Sequence, residues 1–318
     1  MEDTVLNSIS HVFSLSKDEA KTFLQMMATD TKEFPSETYM KDILAHFPPP
    51  KYYTNGPEPV EENELDVNEN SRALGKGEFG YVHPNRSRPY AYKYFQTPVY
   101  LNSTNKWIQG QLLEPLLNVI LQSDPVVGKS ICMLYKIYCE KTEKGYNLIY
   151  KMERLGPTLI VLDRFLLSSE DLELNKRVLL KTYGPLYKTL AYLRKTYQFE
   201  HGDLHSKNLL FSKNPVRSNG TIKESRLSSV KIIDFGYSGM VYNGLLYGYN
   251  EPVPTSLKAE VRHFFFHSKL PPAFSEKLQS FGKKYLEIEQ YVIEEAIKEK
   301  IIEGGARQKT RKRKNRRS

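Results

Sequence analysis

Two short stretches carry most of the chemistry that this 318-residue chain could perform: His201-Gly202-Asp203-Leu204-His205-Ser206-Lys207-Asn208 and, later, Asp234-Phe235-Gly236. Transfer of a phosphoryl group to a hydroxyl needs a carboxylate beside the hydroxyl, to orient it and take its proton. It also needs a hard divalent cation on the polyphosphate, and Mg²⁺ prefers Asp and Asn oxygens. Asp203 has the residue type and place of the base, and Asn208 and Asp234 those of the metal ligands.

A base and a metal pair still need something to hold the phosphates. Leu74-Gly75-Lys76-Gly77-Glu78-Phe79-Gly80-Tyr81-Val82 reads G-x-G-x-x-G-x-V. Glycines let a hairpin backbone come close to phosphates, and Phe79 and Val82 can cover a nucleotide. The same glycine spacing occurs in dinucleotide sites, where a helix follows. Here a turn and a second strand follow instead, Tyr90-Ala91-Tyr92-Lys93-Tyr94-Phe95, which sets Lys93 beside the loop. The next helix, around Trp107 to Gln122, has Glu114 as its only acid and ends before Ser123-Asp124-Pro125. Pro115 is awkward there unless it sits near the helix start. Two strands follow, Ile131 to Glu140 and Tyr146 to Met152. An amphipathic helix from Lys176 to Tyr197 then delivers the His201–Asn208 loop.

H-x-D-x-x-x-x-N, the run Val230-Lys231-Ile232-Ile233 into Asp-Phe-Gly, the glycine loop and Lys93 stand in the order of the eukaryotic-type protein kinases, which the chain resembles over roughly residues 71–300. The resemblance implies an α+β fold of two lobes, a β-rich N-lobe and a reduced helical C-lobe, with ATP and Mg²⁺ between them. Lys93 would hold the α- and β-phosphates and pair with Glu114, and residues 74–80 with Val82 would enclose the nucleotide. Met152-Glu153-Arg154-Leu155-Gly156-Pro157 resembles the hinge of the casein kinase branch. By that likeness Met152 is the gatekeeper, and the backbone of Glu153 and Leu155 meets the adenine. His201 would support the Asp-Phe-Gly turn.

The chain also departs from that family. Gly202 stands where many protein kinases carry the arginine that grips a phosphorylated activation loop, which implies activity without such phosphorylation. His205 stands where serine/threonine kinases place a lysine that steadies the γ-phosphate, and Lys207 where tyrosine kinases often carry arginine. An ammonium could reach the γ-phosphate from either place, so the hydroxyl preferred, with serine and threonine favoured, is left open. H-G-D-L-H with Asn three residues on is also similar to the loop of aminoglycoside and choline phosphotransferases. A small-molecule acceptor is thus one alternative to a protein substrate, and a non-catalytic nucleic-acid-binding scaffold is another. Residues 213–229 form a polar insertion, no A-P-E motif appears, and Glu260 is a candidate anchor on a helix from Leu257 to Phe266. His263 and His267 lie four apart on that helix without a third metal ligand, which favours packing.

The remaining composition bounds the partners. The net charge is +9, but eight of the 46 Lys and Arg residues lie in the last twelve positions, leaving 38 against 37 acidic residues elsewhere. The basic block at 307–317 is expected to meet polyanions, as a nucleic-acid contact or a signal for a nuclear import receptor. Such ends are similar to those on proteins of large DNA viruses, which would add the virion to the cytoplasm and nucleus as locations. No run is apolar and long enough to span a membrane. Two cysteines, Cys132 and Cys139, fit reduced structural thiols on opposite faces of one strand. The expected organisation is a helical extension (1–54), an acidic linker (55–70), an N-lobe (71–152), a C-lobe (153–302) and a basic tail (303–318).

Overall fold

The computed structural model describes residues 2–29, 35–52, 64–65, 73–76, 80–85, 89–95, 99–100, 105–143, 145–169 and 171–248. Most of the linker, the loop tip Gly77-Glu78-Phe79, the segment with Glu260, His263 and His267, and the basic tail lie outside the described residues.

Three helices open the chain: α1 (Glu2–Phe13), α2 (Lys17–Met26) and α3 (Glu37–His46). Ser14 turns the chain between the first two with φ +57°. Ser16 and Glu19 then form a reciprocal capping box, with the Glu19 amide donating to Ser16 Oγ at 3.3 Å and the Ser16 amide to Glu19 Oε2 at 2.7 Å. Ser36 Oγ accepts the Tyr39 amide at 3.1 Å to start α3. The three helices converge on Phe13, whose ring lies 4.9 Å from Phe23 and 5.9 Å from Phe47.

A short parallel pair, β1 (Lys51–Tyr52) and β2 (Glu64–Leu65), precedes an antiparallel sheet of β3 (Gly75–Lys76), β4 (Gly80–Pro84), β5 (Tyr90–Phe95), β6 (Val99–Tyr100), β7 (Leu134–Lys141) and β8 (Gly145–Glu153). β5, β6 and β7 all pair with β8, and β4 joins β5 to β3. The register sets Lys93 opposite Val82 on one side and Tyr150 on the other. Gly80 is required by close approach: a Cβ there would lie 1.8 Å from the Tyr94 carbonyl oxygen.

α4 (Asn105–Gln122) crosses from β6 to β7. Leu112, Leu113, Leu116, Leu117, Val119, Ile120 and Leu121 are all buried, more than one face of a helix can hide. Gln111, Glu114, Asn118 and Gln122 form one polar stripe on α4, and its broad apolar remainder is packed by α1, α3, β7 and the later strand β12. Pro115 sits in the interior of α4, the position that makes a proline awkward in a helix.

The second lobe begins with α5 (Ile160–Ser168), which no sequence pattern anticipated, and α6 (Leu172–Tyr197). Asp171 Oδ1 caps α6 by accepting the Leu174 amide at 2.9 Å, and Gln198 ends it in a left-handed conformation (φ +48°). Two hairpins follow, β9 (Leu209–Phe211) with β10 (Val230–Ile232), and β11 (Gly239–Tyr242) with β12 (Leu245–Gly248). The insertion between β9 and β10 returns to α6, where Glu224 accepts from Arg177 Nε at 3.2 Å and from Lys181. The N-terminal extension reaches the last hairpin too: the Thr29 amide donates to Leu246 O at 2.7 Å.

β7 starts at Leu134, so Cys132 precedes the strand on which the sequence placed it, and Ile131 makes only an isolated bridge to Ile232. Both cysteines are free and buried. Burial pushes each thiol up to about 12, which leaves no reactive thiolate at neutral pH. The whole is an α+β fold of two lobes, one a sheet with α4, the other helices with two hairpins. Among the described residues no helix is long and apolar enough to cross a membrane.

Candidate active site

Strand geometry places the first half of the site. Lys93 points from β5 toward α4, where its Nζ meets Glu114 Oε1 at 2.6 Å and Asp234 Oδ1 at 3.6 Å. Burial alone would lower the Lys93 ammonium, but the Glu114 and Asp234 carboxylates more than offset it and raise the group above its ordinary value. Lys93 is therefore a fixed cation. Burial pushes the Glu114 carboxyl up, against the pull of Lys93. The pair expected from sequence forms even though Pro115 follows Glu114 directly.

The second half is a folded loop. The Asn208 amide closes a turn on His205 O at 2.9 Å, and Asn208 Nδ2 donates to Asp203 O at 2.9 Å and to Asp203 Oδ2 at 3.3 Å. Committing Nδ2 to Asp203 leaves Oδ1 as the Asn208 atom for a cation. Asp203 is half-exposed, as a group that must meet an acceptor has to be. His205 Nδ1 accepts the Lys207 amide at 3.2 Å, which turns Nε2 to Asp203 Oδ2 at 3.5 Å. Lys207 is exposed.

Backbone bonds join the halves. The Ile233 amide donates to Asn208 O at 3.0 Å, and Ile233 O accepts from His201 Nε2 at 2.9 Å. His201 Nδ1 takes the Asp203 amide at 3.4 Å, so both ring nitrogens are used by the neutral tautomer protonated on Nε2. Its ring also packs on Phe235, 5.6 Å between centroids. Burial lowers the imidazole below its usual 6.5. A depressed histidine contributes stability that is complete above that value and is lost as the pH falls below it, because the unfolded chain takes up a proton the folded chain refuses. Urea unfolding is therefore expected to show stability falling between pH 7.5 and 5.5, and a flat profile would contradict a neutral, buried His201.

Asp234 adopts φ +64°, a left-handed conformation uncommon outside glycine but open to Asp. Gly202 has φ +77°, and a Cβ on it would lie 2.2 Å from the Tyr237 carbonyl oxygen. The missing arginine thus has a steric reason, independent of any regulation: the turn after Asp-Phe-Gly passes too close for a side chain.

The positions that the sequence resemblance expects to face a nucleotide are placed as follows. The Leu74 amide donates to Val82 O at 2.7 Å, and Gly75 and Lys76 pair with Val82 and Tyr81. Met152 lies opposite Ala91 and Leu134. The Glu153 amide is committed to Met133 O at 2.8 Å, so an adenine contact at Glu153 is left to its carbonyl, which the Cys132 thiol approaches at 3.8 Å. Leu155 follows β8 in the connection to α5.

Three features escaped sequence reading. Lys231 Nζ donates to Glu153 Oε2 at 2.6 Å and Ile131 O at 3.2 Å, tying the strand before Asp234 to the hinge. Asp124 Oδ2 accepts the Tyr197 hydroxyl at 2.5 Å and the Tyr192 hydroxyl at 3.0 Å, while Oδ1 caps the Val126 and Val127 amides. Burial would raise that carboxyl, but these donors hold it below the usual range. The Tyr150 hydroxyl donates to Gln111 O at 2.8 Å. These contacts account for part of the tyrosine content. A phenol spans a long gap and ends in a donor, which lone residues in a sequence do not reveal.

The residues fit Mg²⁺ in donor type. Asp234 offers a carboxylate, Asn208 an amide oxygen, and among the described residues no cluster of three or more His, Cys, Asp or Glu competes. One or two protein oxygens, completed by phosphates and water, is the usual Mg²⁺ environment.

No family model and no curated protein matches the chain. Among solved structures it is similar to the autoinhibited serine kinase domain of the giant muscle protein titin, at 21% identity and a TM-score of 0.36, over 53% of this chain and 44% of that one, less than half its length. The class is defined by the chain's own geometry: a protein-kinase-like fold, with the lysine–glutamate pair in one lobe and the Asp203–Asn208 loop in the other.

Proposed function

We propose that the chain is an ATP-dependent protein kinase, serine and threonine favoured, that binds Mg-ATP between its lobes. One observation carries the reading most: Lys93 bridges Glu114 and Asp234 while Asn208 fixes Asp203, so both halves of the constellation are assembled together. Glu114 holds the Lys93 ammonium where it meets the α- and β-phosphates. The Asp203 carboxylate orients the acceptor hydroxyl and takes its proton as that oxygen bonds to the γ-phosphorus and the bond to the β,γ-bridging oxygen breaks, with ADP as the leaving group. His205 and Lys207 flank the phosphoryl group from the same loop. Mg²⁺, held by Asn208 and Asp234, supplies charge neutralisation on the polyphosphate. Rate enhancement in such a site comes from positioning and electrostatics. The basic tail is proposed to engage nucleic acid or a nuclear import receptor.

The test is transfer of labelled γ-phosphate by the purified chain to itself and to casein, histone and myelin basic protein. Labelled protein that hydrolyses to phosphoserine or phosphothreonine supports the reading. ATP consumed only with a small metabolite moves it to the aminoglycoside and choline phosphotransferase type, and no ATP binding leaves a scaffold. Because Gly202 leaves no arginine to grip a phosphorylated loop, phosphatase-treated protein is expected to keep its full rate. Loss of activity on that treatment would refute phosphorylation-independent activity.

A further inference from the structure

Pro115 has no amide hydrogen, so the carbonyl four residues earlier, Gln111 O, lacks its helical donor. That carbonyl takes the Tyr150 hydroxyl at 2.8 Å. Tyr150 is the cross-strand neighbour of Lys93 on β8, and Glu114 lies one turn beyond Gln111 on α4. Beside the site the sheet and the helix are therefore joined at two places, Lys93–Glu114 and Tyr150–Gln111, in addition to the Gln122–Leu134 pair at the end of the helix. The two joints differ in kind. Lys93 and Glu114 are long, flexible side chains that tolerate small shifts of the helix without fixing its place. Tyr150 is a rigid ring, 2% exposed, and packed edge-on against Phe95 with centroids 4.8 Å apart. It holds a backbone atom, so it fixes where the helix itself lies. A slip of one residue moves a helix by about 1.5 Å and turns it by about 100°, enough to carry Glu114 off Lys93. Burial, with the nearby Glu114 charge, raises the phenol well above its usual value, so it stays a donor.

We propose that Tyr150 is a positioning residue for phosphoryl transfer: its hydroxyl, on the carbonyl that Pro115 leaves open, sets the rotation and height of α4 at which Glu114 meets Lys93. The proposal rests on the kinase reading for its effect on rate, but not for the anchor itself.

The experiment uses the full chain as wild type, Tyr150→Phe, Glu114→Gln and the double variant. Tyr150→Phe is expected to lower kcat about 5- to 20-fold at saturating Mg-ATP, with the acceptor KM unchanged. In the Glu114→Gln background it should lower kcat no further, because it acts through that residue. Amide exchange over 105–122 should rise in Tyr150→Phe while α6 keeps its protection, which separates a loosened helix from a failed fold. Effects that multiply in the double variant, or faster exchange with wild-type turnover, would overturn the positioning role. Should the wild type transfer no phosphate, the kinase reading has failed on its own account. Exchange then decides the anchor, and unchanged protection of α4 in Tyr150→Phe overturns it.

Discussion

Asp203→Asn is expected to cut phosphoryl transfer by about 10²–10⁴-fold, the contribution of a positioned general base, while ATP affinity and the thermal midpoint stay at wild-type values. The substitution keeps the size and planarity of the side chain. One oxygen remains to accept the Asn208 Nδ2 bond, which is 3.3 Å in the native loop, and the main-chain bond from Nδ2 to Asp203 O at 2.9 Å is untouched. What disappears is the negative oxygen able to take the acceptor's proton. In the proposed reading the nucleotide is gripped by groups on other elements, Lys93 on β5 and Asp234 after β10, so binding should survive. Single-turnover transfer, nucleotide titration and a melting curve on the same preparations separate these effects. A variant that keeps more than a tenth of the wild-type rate would remove Asp203 from the role of base.

Gly202→Ala should damage both fold and activity although it adds only one carbon. The left-handed backbone (φ +77°) costs a non-glycine residue about 1–2 kcal/mol by itself. The added carbon would also stand 2.2 Å from the Tyr237 carbonyl oxygen, a main-chain atom that cannot rotate aside. Either the catalytic loop or the turn after Asp-Phe-Gly must move. Since Asp203 is the next residue, a displacement near 1 Å is expected to cost about 10²-fold in kcat. Urea midpoints and turnover measured together check this, and wild-type values for both would show that the turn relaxes freely. Gly202→Arg, the residue many protein kinases carry here, should be worse.

Much of this site was legible in the chain because its parts are local or stand alone. Asp203 and Asn208 sit in one loop, and that spacing lets Asn208 Nδ2 reach both the carboxylate and the carbonyl of Asp203. Lys93 follows a glycine hairpin, and Glu114 is the only acid in its helix. What could not be read depends on pairs distant in sequence. Pro115 argued against a helix interior because the phenol that takes the freed carbonyl is Tyr150, on another element. Lys231 stands within the run Val230-Lys231-Ile232-Ile233 with nothing local to mark its partner, Glu153, which is 78 positions away on β8. Gly202 was read as the loss of a regulatory arginine, and the reason for glycine is the carbonyl of Tyr237. One signal was available and points inward: outside the stripe Gln111, Glu114, Asn118 and Gln122, the second half of α4 is apolar over a wider arc than packing on one sheet needs.

That covering links catalysis to a part of the chain with no catalytic group. With α1, α3, β7 and β12 packed on it, α4 cannot swing toward any of them without displacing that neighbour. A large swing of α4 would disturb the packing around Phe13 and the Thr29–Leu246 bond, whereas the slip of one residue that Tyr150 opposes need not. Opening of α1, α2 and α3 is therefore expected to loosen α4 and, in the proposed reading, to lower activity with it. Temperature or denaturant would shut such an enzyme off at its N-terminus before the lobes themselves come apart.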